Sequence, residues 1–252
     1  MRWSKQFRPG AWTLAAFSLL GVAACVRPTA PTGAQAPPAR AEAAAVTAEA
    51  TAAARQRVLS IDSTASLLTI AVRRSGPLAR LGHNHVIAMR DIEGEVRCGA
   101  DLQSASFEWT QPVDRMTVDE AALRANAGPD FSAPVPEEAR VGTRANMLGA
   151  ALLQAAEHPR IRVVGRVSRL LSTDRAELTV DVQVRGQATQ LLLPVRYAWR
   201  DADTLEVEGE FELQQTQLGL VPFSVMMGAL QVDDRMQLGF RVVARVAPEK
   251  PR

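Results

Sequence analysis

The stretch Leu205-Glu206-Val207-Glu208-Gly209-Glu210-Phe211-Glu212-Leu213 alternates apolar or small residues with glutamates. Because successive side chains of a β-strand point to opposite faces, the pattern predicts a strand with one face inside the protein and the other in water. The same alternation recurs in residues 161–167, 178–184, 191–199 and 236–246. Turn-forming runs such as Asp201-Ala202-Asp203 separate these segments, so we expect antiparallel neighbours joined by short turns.

The rest of the domain is also strand-like, with one helical region. We expect further strands near residues 57–62, 84–90, 92–99 and 113–118. An Ala-rich helix is predicted over residues 136–157, ending before His158-Pro159, and a shorter one over 119–125. At least eight antiparallel strands with one apolar face fit either a two-sheet sandwich or a closed barrel.

The N-terminus is typical of an exported lipoprotein. Residues 2–8 include the three basic residues Arg2, Lys5 and Arg8, and residues 11–24 form an apolar run that is shorter than the roughly 20 residues needed to span a bilayer. The run ends in Val22-Ala23-Ala24-Cys25, which predicts a signal peptide over residues 1–24 and acylation of Cys25 as a membrane anchor. An ordinary signal peptide with a cysteine at this position is the alternative. Residues 25–56 are rich in Ala and Pro and predict a disordered tether.

The predicted barrel domain covers residues 57–247, and residues 248–252 form a tail. The 29 Lys and Arg residues exceed the 27 Asp and Glu residues by two, but Arg2, Lys5 and Arg8 precede Cys25, so the processed chain is close to neutral. Without excess positive charge we expect no nucleic-acid partner. Acylation of Cys25 leaves Cys98 as a lone thiol, which we expect to be a buried small hydrophobe.

Three segments in order resemble one known family. They are Leu81-Gly82-His83-Asn84-His85-Val86-Ile87, Ala156-Glu157-His158-Pro159-Arg160-Ile161-Arg162-Val163, and the region from Leu178-Thr179-Val180 through Leu218-Gly219-Leu220-Val221-Pro222-Phe223-Ser224 to Val232-Asp233-Asp234. Together they are similar to the YceI-like, polyisoprenoid-binding family. The resemblance implies an all-β fold, an eight-stranded antiparallel lipocalin-like barrel with a helical insertion. It also implies a periplasmic protein whose elongated apolar cavity binds a long isoprenoid or another amphiphilic lipid.

His83 and His85 are the most informative polar residues. If both lie on one strand, they point the same way and can meet one ligand. With Arg80 nearby, they could bind a phosphate or quinone head group at a cavity mouth, ligate a metal, or serve a structural role. No further ligand follows at the spacing that a His-x-His metal motif requires.

Apolar residues on the inward rows are candidates to line a ligand cavity, although each could equally be ordinary core. The small inward residues Gly165, Gly209 and Ala244 leave room or mark bends. The candidate ligand-binding residues, including a lip around residues 223–227, are Phe107, Trp109, Leu191, Leu193, Phe211, Phe223, Met226 and Phe240.

No nucleophile elbow, phosphate-binding loop or dinucleotide fingerprint is present, so we expect a binding protein and not an enzyme. The sequence therefore predicts a lipid-anchored, periplasm-facing protein that binds a hydrophobic lipid and requires no other cofactor. Residue 26 is Val and not Asp, which favours sorting to the outer membrane. The alternative is a metal- or haem-linked redox accessory protein that uses His83 and His85. The sequence does not predict an oligomeric state.

Overall fold

The computed structural model describes residues 56–99 and 101–246. The predicted signal peptide, the acylated Cys25, all but the last residue of the predicted tether and the predicted tail lie outside these residues. Among the described residues, none of the helices has the length and apolar character that crossing a membrane requires.

The described residues form twelve β-strands and two α-helices. The helices are α1 (Ala121–Asn126) and α2 (Glu137–Leu148), and short 3₁₀ turns occur at Ala79–Leu81, Val113–Arg115, Pro129–Phe131, Gln215–Leu218 and Met226–Gly228. The strands are β1 (Arg57–Ile61), β2 (Leu67–Ser75), β3 (His85–Met89), β4 (Glu93–Cys98), β5 (Ser106–Pro112), β6 (Thr117–Val118), β7 (Arg160–Leu170), β8 (Arg175–Val184), β9 (Gln187–Trp199), β10 (Thr204–Gln214), β11 (Ser224–Val225) and β12 (Leu230–Val246).

The strands close into a barrel because β12 is long enough to pair with both β1 and β2. Ile61 of β1 is opposite Ala244, and Leu67 of β2 is opposite Arg241, so β1 and β2 occupy one position in the wall. In the same way β3 and β4 share the next position, and β5 and β6 the one after.

Counted in this way, the wall has eight antiparallel positions. Three are the shared positions of β1 with β2, β3 with β4 and β5 with β6, and the other five are β7, β8, β9, β10 and β12. This confirms the expected eight-stranded barrel and excludes the sandwich.

The alternating residues turn their apolar side chains inward, as the sequence pattern predicts. One end of the barrel, here called the closed end, is filled by a small cluster of Leu59, Cys98, Ala105, Leu205 and Ala244. Cys98 is 1 % exposed, which confirms its expected burial, and this burial raises the pKa of its thiol. The opposite end, here called the mouth, is formed where β2, β8 and β10 end and where β3, β9 and β12 begin.

Two elements differ from the sequence prediction. The helix expected over residues 136–157 ends at Leu148, because Gly149 takes an extended backbone and residues 150–157 continue as turns. The strand expected over residues 113–118 is reduced to Thr117–Val118, because a 3₁₀ turn forms at Val113–Arg115 and the Val113 amide donates to Pro159 O at 2.9 Å.

Candidate functional site

The barrel encloses a cavity with two adjoining lobes. The outer lobe, at the mouth, has a volume of about 290 Å³, and the inner lobe, deeper in the barrel, has about 190 Å³. The lobes are direct neighbours, because Ile70, Ile161, Val184 and Leu218 line both. Together they fall within the roughly 300–1,000 Å³ that is usual for small-molecule sites.

The inner lobe is lined by aliphatic and aromatic side chains, and no charged side chain of the described residues reaches it. Tyr197 carries a polar group here, but its hydroxyl donates to Ser172 O at 3.3 Å. Phe211 and Phe240 meet edge to face with ring centroids 6.3 Å apart. Six of the predicted ligand-binding residues line this lobe: Phe107, Trp109, Leu191, Leu193, Phe211 and Phe240.

The small inward residues Gly165, Gly209 and Ala244 do not create the cavity, although the sequence allowed the interpretation that they leave room for it. A Cβ at Gly165 would lie 2.3 Å from Cζ of Phe107, and one at Gly209 would lie 2.8 Å from Cε1 of Phe240. These glycines therefore make room for neighbouring aromatic rings. Ala244 belongs to the closed end. The space in the barrel arises from its circumference and not from single small residues.

The outer lobe has a different chemistry. Its walls are mostly apolar, with residues such as Phe223 and Met147, but its lining also includes polar side chains near the mouth: Arg74, His83, His85, Thr143, Asn146, Gln215 and Gln231. The cavity is therefore apolar along most of its length, and its polar lining side chains lie mainly at the outer end.

A buried polar network supports the mouth. The side chain of Asp119 has no solvent exposure; its Oδ2 accepts from Nδ1 of His85 at 2.7 Å, and its Oδ1 accepts from the Val86 amide at 2.9 Å and from Nη1 of Arg124 at 2.6 Å. Burial raises the pKa of Asp119, but the hydrogen bonds from His85, Val86 and Arg124 outweigh it and hold this pKa below its usual value.

Arg124 extends the network to the loops. It donates to Asn84 O at 2.7 Å, Phe131 O at 2.7 Å and Ala133 O at 2.8 Å. A guanidinium with this many acceptors neutralises the buried carboxylate and fixes the segment that precedes α2. The backbone of Asp119 is left-handed, with a φ of 58°, which is uncommon for a residue other than glycine.

Helix α2 lies across the mouth and is joined to the barrel by His85. Nε2 of His85 lies 3.1 Å from the hydroxyl oxygen of Thr143, and Nε of Arg144 donates to Met116 O at 3.3 Å. Met147 packs into the core cluster beneath the helix. Asp119, Arg124 and Thr143 were not predictable as site residues, because each has partners distant in the chain and none lies in a recognisable motif.

His83 does not lie on the strand, which corrects the expectation that both histidines share one. Strand β3 begins at His85, and Asn84 anchors the preceding loop by accepting from the Arg74 amide at 3.0 Å and donating to Asp130 O at 2.9 Å. The two rings still lie close, with centroids 6.1 Å apart. Burial and the nearby His85, Arg74 and Arg124 lower the pKa of His83, so its ring is neutral near pH 7.

The metal alternative requires several side chains that can bind one ion, and the described residues do not bring such a set together at the mouth. Both ring nitrogens of His85 are engaged, one by Asp119 and one by Thr143, which leaves His83 alone. Over residues 56–99 and 101–246, there is no group of three or more His, Cys, Asp or Glu side chains that could hold a metal ion.

The remaining predicted residues lie at the mouth but differ in position. Phe223 lines the outer lobe. Arg80 is exposed in the 3₁₀ turn Ala79–Leu81, and Met226 lies in the exposed turn between β11 and β12. Neither is among the residues that line the two lobes.

Solved structures share this barrel. BcnA of Burkholderia cenocepacia matches with a TM-score of 0.52 at 14% identity, covering 73% of this chain and 98% of that one. A polyisoprenoid binding domain from Saccharophagus degradans, implicated in plant cell wall breakdown, matches with a TM-score of 0.51 at 11% identity, covering 75% and 98%. The chain has the fold of these proteins.

A YceI protein of Campylobacter jejuni also matches, at a TM-score of 0.46 and 8% identity, covering 64% of this chain and 85% of that one. The match to the polyisoprenoid binding domain confirms, at the level of the fold, the resemblance seen in the sequence. No protein-family model and no curated protein sequence matches the chain.

Proposed function

We propose that this protein binds one amphiphilic lipid with a long hydrocarbon chain, such as an isoprenoid, inside the barrel. The observation that carries the proposal is the largely apolar cavity, whose inner lobe has no charged lining residue and whose outer lobe has a few polar side chains at the mouth. The similarity to a polyisoprenoid binding domain supports the same class of ligand.

The energetics favour a long tail. Each buried methylene contributes about 0.8 kcal/mol, so ten buried carbons contribute about 8 kcal/mol. That figure corresponds to roughly micromolar affinity before the cost of immobilising the ligand is subtracted. Longer chains gain more as long as the two lobes accommodate them, so we expect affinity to rise with chain length and then level off.

The head group lies in the outer lobe in this proposal. Arg74, His83, Asn146 and Gln231 supply hydrogen-bond donors there, and the low pKa of His83 keeps its ring able to accept as well as donate. This set suits a polar or anionic head group. It supplies no activated nucleophile for chemistry on the ligand, so the proposed activity is binding.

Acylation of Cys25, which the sequence predicts, would hold the barrel on a membrane. We propose that this membrane is the outer membrane and that the barrel faces the periplasm, on the evidence of residues 1–26 alone. An anchored barrel of this kind holds a poorly soluble lipid close to the bilayer that supplies or receives it.

Native mass spectrometry tests the proposal. The protein would be purified from a bacterial periplasm as residues 26–252, which retain the whole described barrel, and then extracted with organic solvent. We expect one lipid per chain, released as the protein unfolds. Protein without lipid, which also fails to take up added long-chain isoprenols, would overturn the proposal, and parallel elemental analysis would show whether a metal is bound instead.

A further inference from the structure

Two loops at the mouth carry a group of exposed apolar side chains, here called the apolar rim: Leu81, Val221, Val225, Met226 and Met227. Their exposed fractions run from 38 % for Val225 to 106 % for Met227. Single exposed apolar residues are common on protein surfaces, but a contiguous group indicates an interaction surface.

The two loops form one continuous surface. The Leu78 amide donates to Ala229 O at 2.8 Å, which joins the loop that carries Leu81 to the turn between β11 and β12. A Cβ at Gly82 would lie 3.0 Å from Cδ1 of Leu230, so these segments are in direct contact. Val225 pairs with Leu230 at the base of the same turn.

The backbone of the turn presents its methionines to solvent. Met226 and Met227 both have a φ of 53°, in the left-handed region that residues other than glycine rarely adopt. Both side chains are exposed, so no burial of apolar surface within this fold offsets the unfavourable backbone conformation. Strained backbone of this kind often marks a functional segment. Unbranched methionine side chains adapt well to irregular apolar surroundings.

The two loops that carry the apolar rim have positive charge of their own. Residues 73–82 and 219–231 include Arg73, Arg74 and Arg80 and no acidic residue. Arg73 pairs with Asp130 at 3.5 Å, while Arg74 and Arg80 add positive charge beside the exposed apolar side chains. Apolar side chains with neighbouring arginines suit the interface of a bilayer that contains anionic lipids.

We propose that the apolar rim is a membrane-docking surface that inserts into the interface of an anionic bilayer. Val225 belongs to the rim and also lines the outer lobe, next to Phe223. Docking therefore opens an apolar path from the bilayer into the cavity. The use of that path by a ligand rests on the proposed function, whereas docking itself does not.

The predicted anchor is compatible with this orientation. Strand β1 begins near the closed end, where Arg57 pairs with Asp203 at 3.0 Å. Residues 26–56 can span at most about 100 Å when fully extended. The 17 residues of β12 cover only about 56 Å at roughly 3.3 Å per residue. The chain between Cys25 and the barrel is therefore long enough for the mouth to reach the membrane that holds the anchor.

Vesicle sedimentation with the non-acylated chain of residues 26–252 tests the proposal. Both core clusters lie within the barrel, so this chain retains the complete folded domain. It would be mixed with vesicles of phosphatidylcholine alone and of phosphatidylcholine with phosphatidylglycerol. We expect binding to the anionic vesicles that weakens at least tenfold in Met226→Gln/Met227→Gln and severalfold in Arg80→Gln. Glutamine is unbranched like methionine, so the turn is preserved.

The matched control is Leu171→Gln/Leu192→Gln, which removes two apolar side chains that are 46% and 63% exposed away from the mouth. This control should bind vesicles within twofold of the wild type. Absence of wild-type binding, or equal losses in both double variants, would overturn the proposal. A rim-dependent dimer without vesicle binding would overturn it in favour of a second copy of the chain. Lipid occupancy measured on the same samples separates failure of docking from failure of the proposed function.

Discussion

Nε2 of His85 lies 3.1 Å from the hydroxyl of Thr143, and this contact joins the wall of the barrel to the helix that covers its mouth. The other ring nitrogen of His85 meets Asp119, which Arg124 neutralises. One side chain thus links the buried ionic network to α2. The position of α2 therefore depends on polar contacts as well as on the packing of Met147.

The first prediction concerns this link. Thr143→Val removes the hydroxyl but keeps the shape of the side chain, so it should weaken the attachment of α2 by about 1 kcal/mol. We expect faster hydrogen exchange of the α2 amides and a severalfold faster release of bound lipid. Thr173→Val, in an exposed turn at the closed end, should leave both rates unchanged. Equal exchange rates in the two variants would show that His85 does not hold the helix.

The second prediction concerns Asp119. Asp119→Asn removes the charge but keeps a side chain that tolerates a left-handed backbone, and it leaves Arg124 buried without a counter-ion. Breaking a buried pair in this way typically costs about 3–5 kcal/mol of unfolding free energy, measured by chemical denaturation. The matched change Asp130→Asn, at an exposed ion pair with Arg73, should cost less than about 1 kcal/mol. Similar losses in both variants would contradict this assignment.

The third prediction is a loss of stability in acid. The pKa of His83 is lower in the folded protein than its ordinary value of 6.5, so the unfolded chain binds more protons as pH falls below about 7. The unfolding free energy should therefore decrease as pH falls through this range. His83→Gln should flatten that part of the curve, and an unchanged slope in the variant would refute the assignment.

Further acidification removes the contributions of two carboxylates with lowered pKa values. The hydrogen bonds from Arg200 and Arg241 lower the pKa of Glu206 from 4.5 to about 2, so its contribution is present above pH 4.5 and is lost as pH falls toward 2. The contribution of Asp119 is lost below its ordinary pKa of 3.8. Chemical denaturation at a series of pH values would measure both stages.

The fourth prediction concerns the space inside the barrel. Val182 is half-buried and lines the inner lobe, whose volume of about 190 Å³ accommodates the extra carbons of a phenylalanine. Val182→Phe should reduce lipid occupancy at least tenfold, as measured by native mass spectrometry, with little change in Tm. Val58→Phe makes the same change at a position that is 42% exposed and should retain wild-type occupancy. Undiminished occupancy in Val182→Phe would place the lipid elsewhere.

The strands could be predicted because the alternation of buried and exposed side chains is a property of neighbouring residues in the chain. Alternation from Leu205 to Leu213 requires only that one face is buried, and the structure places that row inside. Periodicity alone did not distinguish a barrel from a sandwich, because it defines the buried face of a strand and not which sheet it joins. The choice follows from β12, which pairs with both β1 and β2.

The candidate site was predictable only in part. Inward aromatic residues such as Trp109 follow from the alternation, so the composition of the inner lobe was accessible from the sequence. The network around Asp119 was not, because His85 and Asp119 are 34 residues apart and Thr143 is 58 residues from His85. Such pairings depend on how the loops close over the barrel, and no residue pattern encodes them.

The most direct measurement of lipid binding in the barrel is tryptophan quenching. Residues 26–252 contain two tryptophans: Trp109 lines the inner lobe, and Trp199 is 38% exposed and stacks under Arg57. A long-chain lipid brominated at the end of its tail would be titrated into Trp199→Phe and, as the control, into Trp109→Phe. We predict that Trp109 fluorescence is quenched in a saturable manner at one lipid per chain, while Trp199 is unaffected. Equal quenching of both tryptophans, or quenching of neither, would contradict a lipid tail inside the barrel.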